Sequence, residues 1–234
     1  MKSTKIEWCD STLNPVIGCT YGCDFCYARK LNNRFNWVKS FESPQFFSER
    51  LKELKSKKPK NLFMDSMSDI ADWESKWIYT TFEAIKENPQ HNYLFLTKRP
   101  EKVYDNWLQF SQNNIWCGAT GTGHQTVNKS LYYLGSIRGC NTFLSIEPLL
   151  NEVKLSKEVE YLNWVIIGAE TGNRKGKIVP RAEWVKQIVA ECDKYSIPVF
   201  VKESLLSIIG EENMRREFPK SLTKNGCSSA TSII

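Results

Sequence analysis

The sequence predicts an α/β fold built on a parallel sheet, and three observations carry that reading. Short apolar runs bounded by polar residues recur, as in Asn61-Leu-Phe-Met-Asp65, His91-Asn-Tyr-Leu-Phe-Leu-Thr97, Ile115-Trp-Cys-Gly-Ala119, Asn141-Thr-Phe-Leu-Ser-Ile146, Trp164-Val-Ile-Ile167 and Pro198-Val-Phe-Val201. Helix-like stretches separate them, and strands that are apolar throughout are those covered on both faces by crossover helices. The length, 234 residues, is within reach of one α/β barrel domain and ample for a sizeable core.

Residues 5 to 18 read as a short first strand or an extended lead, with Trp8 and Leu13 covering the loop that follows. From Tyr27 the pattern is helical. Aromatic residues are dense through Phe35, Trp37, Phe41, Phe46 and Phe47, and Ser43-Pro44 starts a second helix that runs to Lys58. Most of these rings are read as core, and some as the wall of a substrate mouth, because an aromatic wall stacks a planar ligand. Helices are expected from Trp73 to Asn88, from Pro100 to about Phe110, over a short segment ending near Ile137, and from Arg181 to Tyr195. The barrel domain is assigned residues 1–210, and 211–234 form a polar tail or appendage. Asp69, Lys98, Glu147, Glu170 and Lys202 each follow a predicted strand. In barrels the carboxyl ends of the strands build the active site, so these residues are expected on one rim.

Composition limits the function classes. Apolar residues make up 41% and charged residues 25% of the chain, and no apolar run is long enough to cross a bilayer. No membrane partner is expected, and without a signal-like hydrophobic amino terminus the expected location is cytoplasmic. Eight irregularly spaced cysteines do not form a secreted disulfide framework. Of the net charge of +6, Arg50, Lys52, Lys55, Lys57, Lys58 and Lys60 against Glu53 supply +5. That patch is read as a solvated helix end before Pro59, with phosphate binding as its alternative.

Three thiols lie close together in Cys19-Thr-Tyr-Gly22-Cys23-Asp-Phe25-Cys26. Thiolates are the ligands of iron–sulfur clusters, and a single loop supplies three of them at little closure entropy. The spacing is also that of one helical face, which would make the sulfurs core, but Pro15, Gly18 and Gly22 favour a loop. Structural zinc sites are normally closed by four protein ligands. Here the histidines are His91 and His124, and the remaining cysteines are scattered singly.

Cys-x3-Cys-x2-Cys with Phe25 before the last cysteine resembles the signature of the radical S-adenosylmethionine (SAM) enzymes. The resemblance implies a partial (β/α)6-type, TIM-like barrel with the cluster loop after the first strand. It further implies a [4Fe-4S] cluster on Cys19, Cys23 and Cys26, SAM chelated by the open iron, and a reductant such as flavodoxin or ferredoxin. By the same resemblance Phe25 and Tyr27 lie beside the adenine. Ser66, Ser68 and Asp69 stand where that family often presents a Gly-Gly-Glu segment to the amino group of SAM; this chain departs from it with Asp65-Ser-Met-Ser-Asp69. Glu147 and Glu170 follow apolar strands, where a carboxylate is costly unless paired or bound. A ligand role and a salt bridge to Lys98 or Lys202 are the two readings. Gly168, in Gly168-Ala-Glu-Thr-Gly172, lets a ribose or adenine approach the backbone. Lys98 and Lys202 are the candidate catalytic cations, able to neutralise the SAM carboxylate or an anionic substrate.

Ile6-Glu-Trp, Asn14-Pro15, Leu96-Thr-Lys-Arg-Pro100, Ser145-Ile-Glu-Pro-Leu149 and Val199-Phe-Val-Lys202 are similar to segments of a phage-associated group of radical SAM proteins, with a more distant likeness to spore photoproduct lyase. The implied reaction is reductive cleavage of SAM to a 5′-deoxyadenosyl radical that abstracts hydrogen from a substrate, preferentially a nucleic-acid base or nucleotide. The competing class is a non-enzymatic iron–sulfur or zinc module that contacts nucleic acid through the basic patch.

Overall fold

The computed structural model describes residues 2–109 and 112–222. Strands β1 (Lys2–Ser3), β2 (Ser11–Thr12) and β3 (Val16–Ile17) lead to helix α1 (Tyr27–Phe35), after which β4 (Gln45–Phe46) pairs back on β3. Strand and helix then alternate through β5 (Asn61–Phe63), α2 (Ser75–Lys86), β6 (Asn92–Thr97), α3 (Pro100–Gln109), β7 (Ile115–Gly121), α4 (His124–Leu134) and β8 (Asn141–Ile146). β9 (Trp164–Ile167), α5 (Ala182–Lys194), β10 (Val199–Val201) and the single turn α6 (Leu206–Ile209) complete the series. The main sheet has the order β1-β2-β5-β6-β7-β8-β9-β10 and is parallel except at the β1–β2 edge. Its seven parallel strands curl into a half-barrel, and the fold is mixed α/β.

Alternation along the strands divides the core in two, because successive side chains point to opposite faces. Tyr93, Phe95, Ile115, Cys117, Leu144, Ile146, Val165 and Ile167 join the cluster that includes Phe82, Val127, Leu131, Val185 and Ile188 of the helices. Leu94, Trp116, Phe143, Trp164, Ile166 and Phe200 form a second cluster with Trp8, Phe63 and Leu222 on the concave face. Each large apolar side chain buried in this way contributes about 1.5–3 kcal/mol. The concave cluster is aromatic, with Phe143 and Trp164 rings 6.0 Å apart and Trp164 and Phe200 6.1 Å apart.

Two segments differ from the sequence expectation for identifiable reasons. β7 continues two residues past the apolar run that ends at Ala119, through Gly121. A Cβ at Gly118 would lie 2.3 Å from the Phe143 ring, and one at Gly121 2.6 Å from the backbone of Val127; both glycines serve close packing within a strand. The helix expected to run to Lys58 is a 3-10 helix, Ser48–Lys55. Pairing of β4 with β3 takes up the preceding residues, and the two buried leucines, Leu51 and Leu54, are three apart, which suits three residues per turn.

Residues 211–222 pack against the half-barrel. The segment around Arg216 runs antiparallel to β10, with Val201 N–H donating to Arg215 O at 2.7 Å and Glu217 N–H to Val199 O at 3.1 Å. Phe218 packs against Trp164 in a tilted contact and against Phe200 edge-on, and Asn61 Nδ2 donates to Leu222 O at 2.8 Å. This covers the open edge of the sheet and the amino ends of the strands with the chain's own backbone. Residues 223–234 of the predicted tail, Cys227 included, and Phe110, the expected end of a helix, lie outside the described residues.

Candidate functional site

A cavity of about 1010 Å³ opens at the carboxyl ends of the parallel strands. Trp8, Phe63 and Leu96 belong both to its lining and to the concave cluster, so the aromatic interior is its floor. Trp8 therefore lies beneath the cavity rather than over the cysteine loop.

The cysteine loop borders this cavity through a built anchorage. Gly18 has φ +119°, and a Cβ there would lie 2.7 Å from Pro44 Cα, so only glycine fits. Gly18 N–H donates to Met67 O at 3.0 Å, and Cys19 N–H to Phe41 O at 2.7 Å. Thr20 donates twice to Asp72, from N and from Oγ1, both at 2.8 Å. Arg99 donates to Asp72 Oδ2 at 2.6 Å and to Thr20 Oγ1 at 3.0 Å. Burial opposes ionisation of Asp72, but the hydrogen bonds from Arg99 and Thr20 outweigh it and hold the carboxyl below its usual range.

Cys19, Cys23 and Cys26 all line the cavity, and none is in a disulfide. Cys26 caps α1, its Sγ accepting from Arg29 N at 3.3 Å. Burial pushes the Cys19 thiol up to about 12 and also raises Cys23. The described residues contain no preassembled group of three or more His, Cys, Asp or Glu side chains placed to hold a metal ion.

The structure brings the other predicted site residues around the same cavity. Phe25, Tyr27, Ser66, Ser68, Asp69, Lys98, Glu147, Glu170 and Lys202 line it. Tyr27 Oη donates to Ser66 O at 2.5 Å, and burial of that hydroxyl is the main cause of its raised pKa. Asp69 is committed to the scaffold: it accepts from Thr97 Oγ1 at 2.5 Å, Ala71 N at 2.9 Å and Lys98 N at 3.1 Å. Ser66 Oγ donates to Asn14 Oδ1 at 3.0 Å, and Ser68 Oγ accepts from Trp73 Nε1 at 3.0 Å. Glu147 and Lys202 form an ion pair. Gly168 is outside the lining, but a Cβ on it would lie 3.0 Å from Lys202 Cδ and 3.2 Å from Glu147, so its bareness makes room for that pair. Glu170 pairs with Arg174 at 2.6 and 2.8 Å, not with either lysine, and this contact is the largest cause of its lowered pKa. Lys98 makes no ion pair among the described residues.

Several residues of the site escaped the sequence reading. Asn14 entered the sequence reading only within the Asn14-Pro15 segment, with no contact assigned to it, yet it also accepts from Met67 N at 2.9 Å. Asp72 and Arg99 lock the loop across 52 and 79 residues of chain, a separation with no local signature. Thr120 lines the cavity, is 5% exposed, and its Oγ1 has no hydrogen-bond partner among the described residues.

The fold and site define an α/β half-barrel protein with a ligand-sized cavity at the carboxyl edge of its sheet. The chain belongs to the family described as "Protein of unknown function (DUF5131)", whose model matches residues 3–216. No radical SAM family model matches, which overturns the assignment to that superfamily and its phage-associated group. The three-cysteine spacing occupies only eight residues, 19–26, and the other segments that carried the resemblance, from Ile6 to Lys202, are short and separated, whereas the family model matches residues 3–216 as one stretch. Neither a curated protein nor a solved structure matches.

Proposed function

We propose that the protein is an enzyme in which Cys19, Cys23 and Cys26 hold a [4Fe-4S] cluster and the adjoining cavity takes S-adenosylmethionine, on a partial (β/α)6-type, TIM-like barrel. The observation that carries the reading is that three thiols outside any disulfide and the polar residues of five strand ends line one cavity. The donor set fits the cluster, because thiolates are its usual ligands and three leave one iron open. The orphaned Thr120 Oγ1 fits a polar ligand, because buried polar atoms are as a rule hydrogen-bonded. When bound, the cluster held by Cys19, Cys23 and Cys26 would supply the electron for reductive cleavage of S-adenosylmethionine and so for hydrogen abstraction from a substrate.

The chain's own groups bind, orient and exclude water. Lys98 offers an ammonium to the carboxylate of the cofactor. Thr120 and Ser66 add polar residues to the lining, and Tyr27 and Phe25 offer ring faces to a planar base. Glu147 and Lys202 hold each other and present a neutralised edge, while the aromatic floor keeps solvent from a reactive species.

The test is anaerobic reconstitution with iron and sulfide, then dithionite and S-adenosylmethionine, with chromatography for 5′-deoxyadenosine. Product is expected, and none from variants with any of the three cysteines changed to Ala. A triple Ala variant that forms as much product sinks the reading. Thr120→Val should weaken S-adenosylmethionine binding about tenfold, the effect of about 1.4 kcal/mol, while leaving the cofactor-free protein as stable as before or slightly more stable.

A further inference from the structure

Residues 27–39 contain Arg29, Lys30, Arg34 and Lys39 and no carboxylate; residues 171–181 contain Arg174, Lys175, Lys177 and Arg181 and no carboxylate. These eight cations exceed the chain's net charge of +6, so the rest of the molecule is net acidic. Both segments border the cavity: Lys30, Leu31 and Trp37 line it from the first, Thr171 and Gly172 from the second. Arg29 pairs with Glu42 and Arg174 with Glu170. Lys30, Arg34, Lys39, Lys175, Lys177 and Arg181 are exposed and make no ion pair among the described residues. An unpaired cationic rim around a cavity attracts a polyanion.

The first segment also carries a built stacking platform. Asn36 ends α1 in the left-handed conformation, φ 50°, which folds Trp37 back onto Phe35. The two rings stack with centroids 5.2 Å apart and an interplanar angle of 23°, and the Arg34 guanidinium lies over the Phe35 ring at 5.2 Å. The turn is fixed from beneath, because buried Asn32 donates to Val38 O and accepts from Val38 N, both at 3.0 Å. Phe35 remains 51% exposed and Trp37 43%, so the pair presents aromatic surface at the rim.

We infer that this rim docks single-stranded nucleic acid, with phosphates on the six unpaired cations and a base stacked on the Phe35–Trp37 pair, so that a neighbouring nucleotide reaches the cavity. Aromatic stacking beside a cationic track is the chemistry that holds unpaired strands with little regard to sequence. A duplex hides its base faces and lacks this contact. An acidic peptide would use the cations and leave the rings uncovered. The lysine-rich stretch at Lys57 and Lys58 precedes β5, at the amino ends of the strands, and takes no part.

The inference rests on the cavity being the active site but not on the cluster, so the experiment uses the full chain as purified, without iron, sulfide or S-adenosylmethionine. Fluorescence anisotropy of labelled oligo-dT and of a matched duplex gives affinities at several salt concentrations. Tighter binding of the single strand is expected, with log affinity falling against log salt at roughly −0.7 per phosphate neutralised. Trp37→Ala and Phe35→Ala should each weaken it about tenfold, and the double variant Arg34→Glu, Lys39→Glu at least as much. Lys57→Glu with Lys58→Glu should leave it within about twofold, and thermal unfolding verifies that each variant is folded. Equal affinity for duplex, insensitivity to the two aromatic changes, an equal loss from the Lys57 and Lys58 changes, or binding to anionic phosphatidylserine vesicles in preference to oligo-dT would each overturn the inference.

Discussion

Asp72 and Arg99 decide how firmly the cysteine loop is held. Arg99 is 8% exposed and its guanidinium contacts Asp72 at 2.6 Å, with Asp69 at 3.8 Å. Removing one member of such a pair leaves an uncompensated charge, so Asp72→Ala should cost about 3–5 kcal/mol, measured by chemical denaturation. Asp72→Asn separates charge from shape. The folded carboxyl sits below its ordinary value, so its contribution is fully present above the unfolded pKa of about 3.9 and is lost as pH falls through the lower folded value. The Asn variant should therefore lose less stability than the native chain as pH falls below about 4. An unchanged acid limb would show that Arg99 and Thr20 do not hold that carboxylate in solution. None of this was legible beforehand, because Thr20, Asp72 and Arg99 are ordinary surface types until the fold juxtaposes them.

Elements were more legible than their partners. β8 and β9 lie at Asn141–Ile146 and Trp164–Ile167 as the apolar runs imply, since a strand covered on both faces has a composition that neither a loop nor an amphipathic helix shares. β7 runs two residues past its apolar run, to Gly121, and the close contact made by Gly118 within it depends on a neighbour that the sequence does not name. That neighbour is Phe143, on the adjacent strand β8. Gly118→Ala should therefore cost about 1–3 kcal/mol as an overpacked core does. Adding Phe143→Leu should recover part of it, a coupling that a thermal-denaturation double-mutant cycle reads directly. Strictly additive effects would place the strain elsewhere. The candidate site was legible to the same degree: strand ends announced Lys98, Glu147, Glu170 and Lys202, but which carboxylate meets which cation depends on loop paths, and Arg174 takes Glu170 because four residues of a tight loop return it to the strand end.

At the scale of the molecule, an open half-barrel has a problem that a closed barrel lacks: free edges, and an interior without a floor at the amino end of its strands. The chain answers with its own carboxyl-terminal part. Arg215 and Glu217 exchange backbone hydrogen bonds with β10 at 2.7 and 3.1 Å, Trp164 Nε1 donates to Glu217 O at 2.9 Å, and Leu222 is fully buried in the concave cluster. The same aromatic layer is the floor of the cavity through Trp8 and Phe63, whose rings are 4.8 Å apart, so the plug at one end supports the site at the other. Truncation after Gly210 should expose the aromatic cluster and the β10 edge together. The expected result is dye binding to exposed apolar surface, self-association and a loss of several kcal/mol, with far-ultraviolet circular dichroism largely retained. Phe218→Ala, which removes one partly buried ring and keeps the edge pairing, should cost less and leave the protein monodisperse by light scattering. If the truncated chain instead unfolds as cooperatively and at the same denaturant concentration as the full one, the half-barrel closes its interior without residues 211–222, and the support of the cavity lies wholly in its helices.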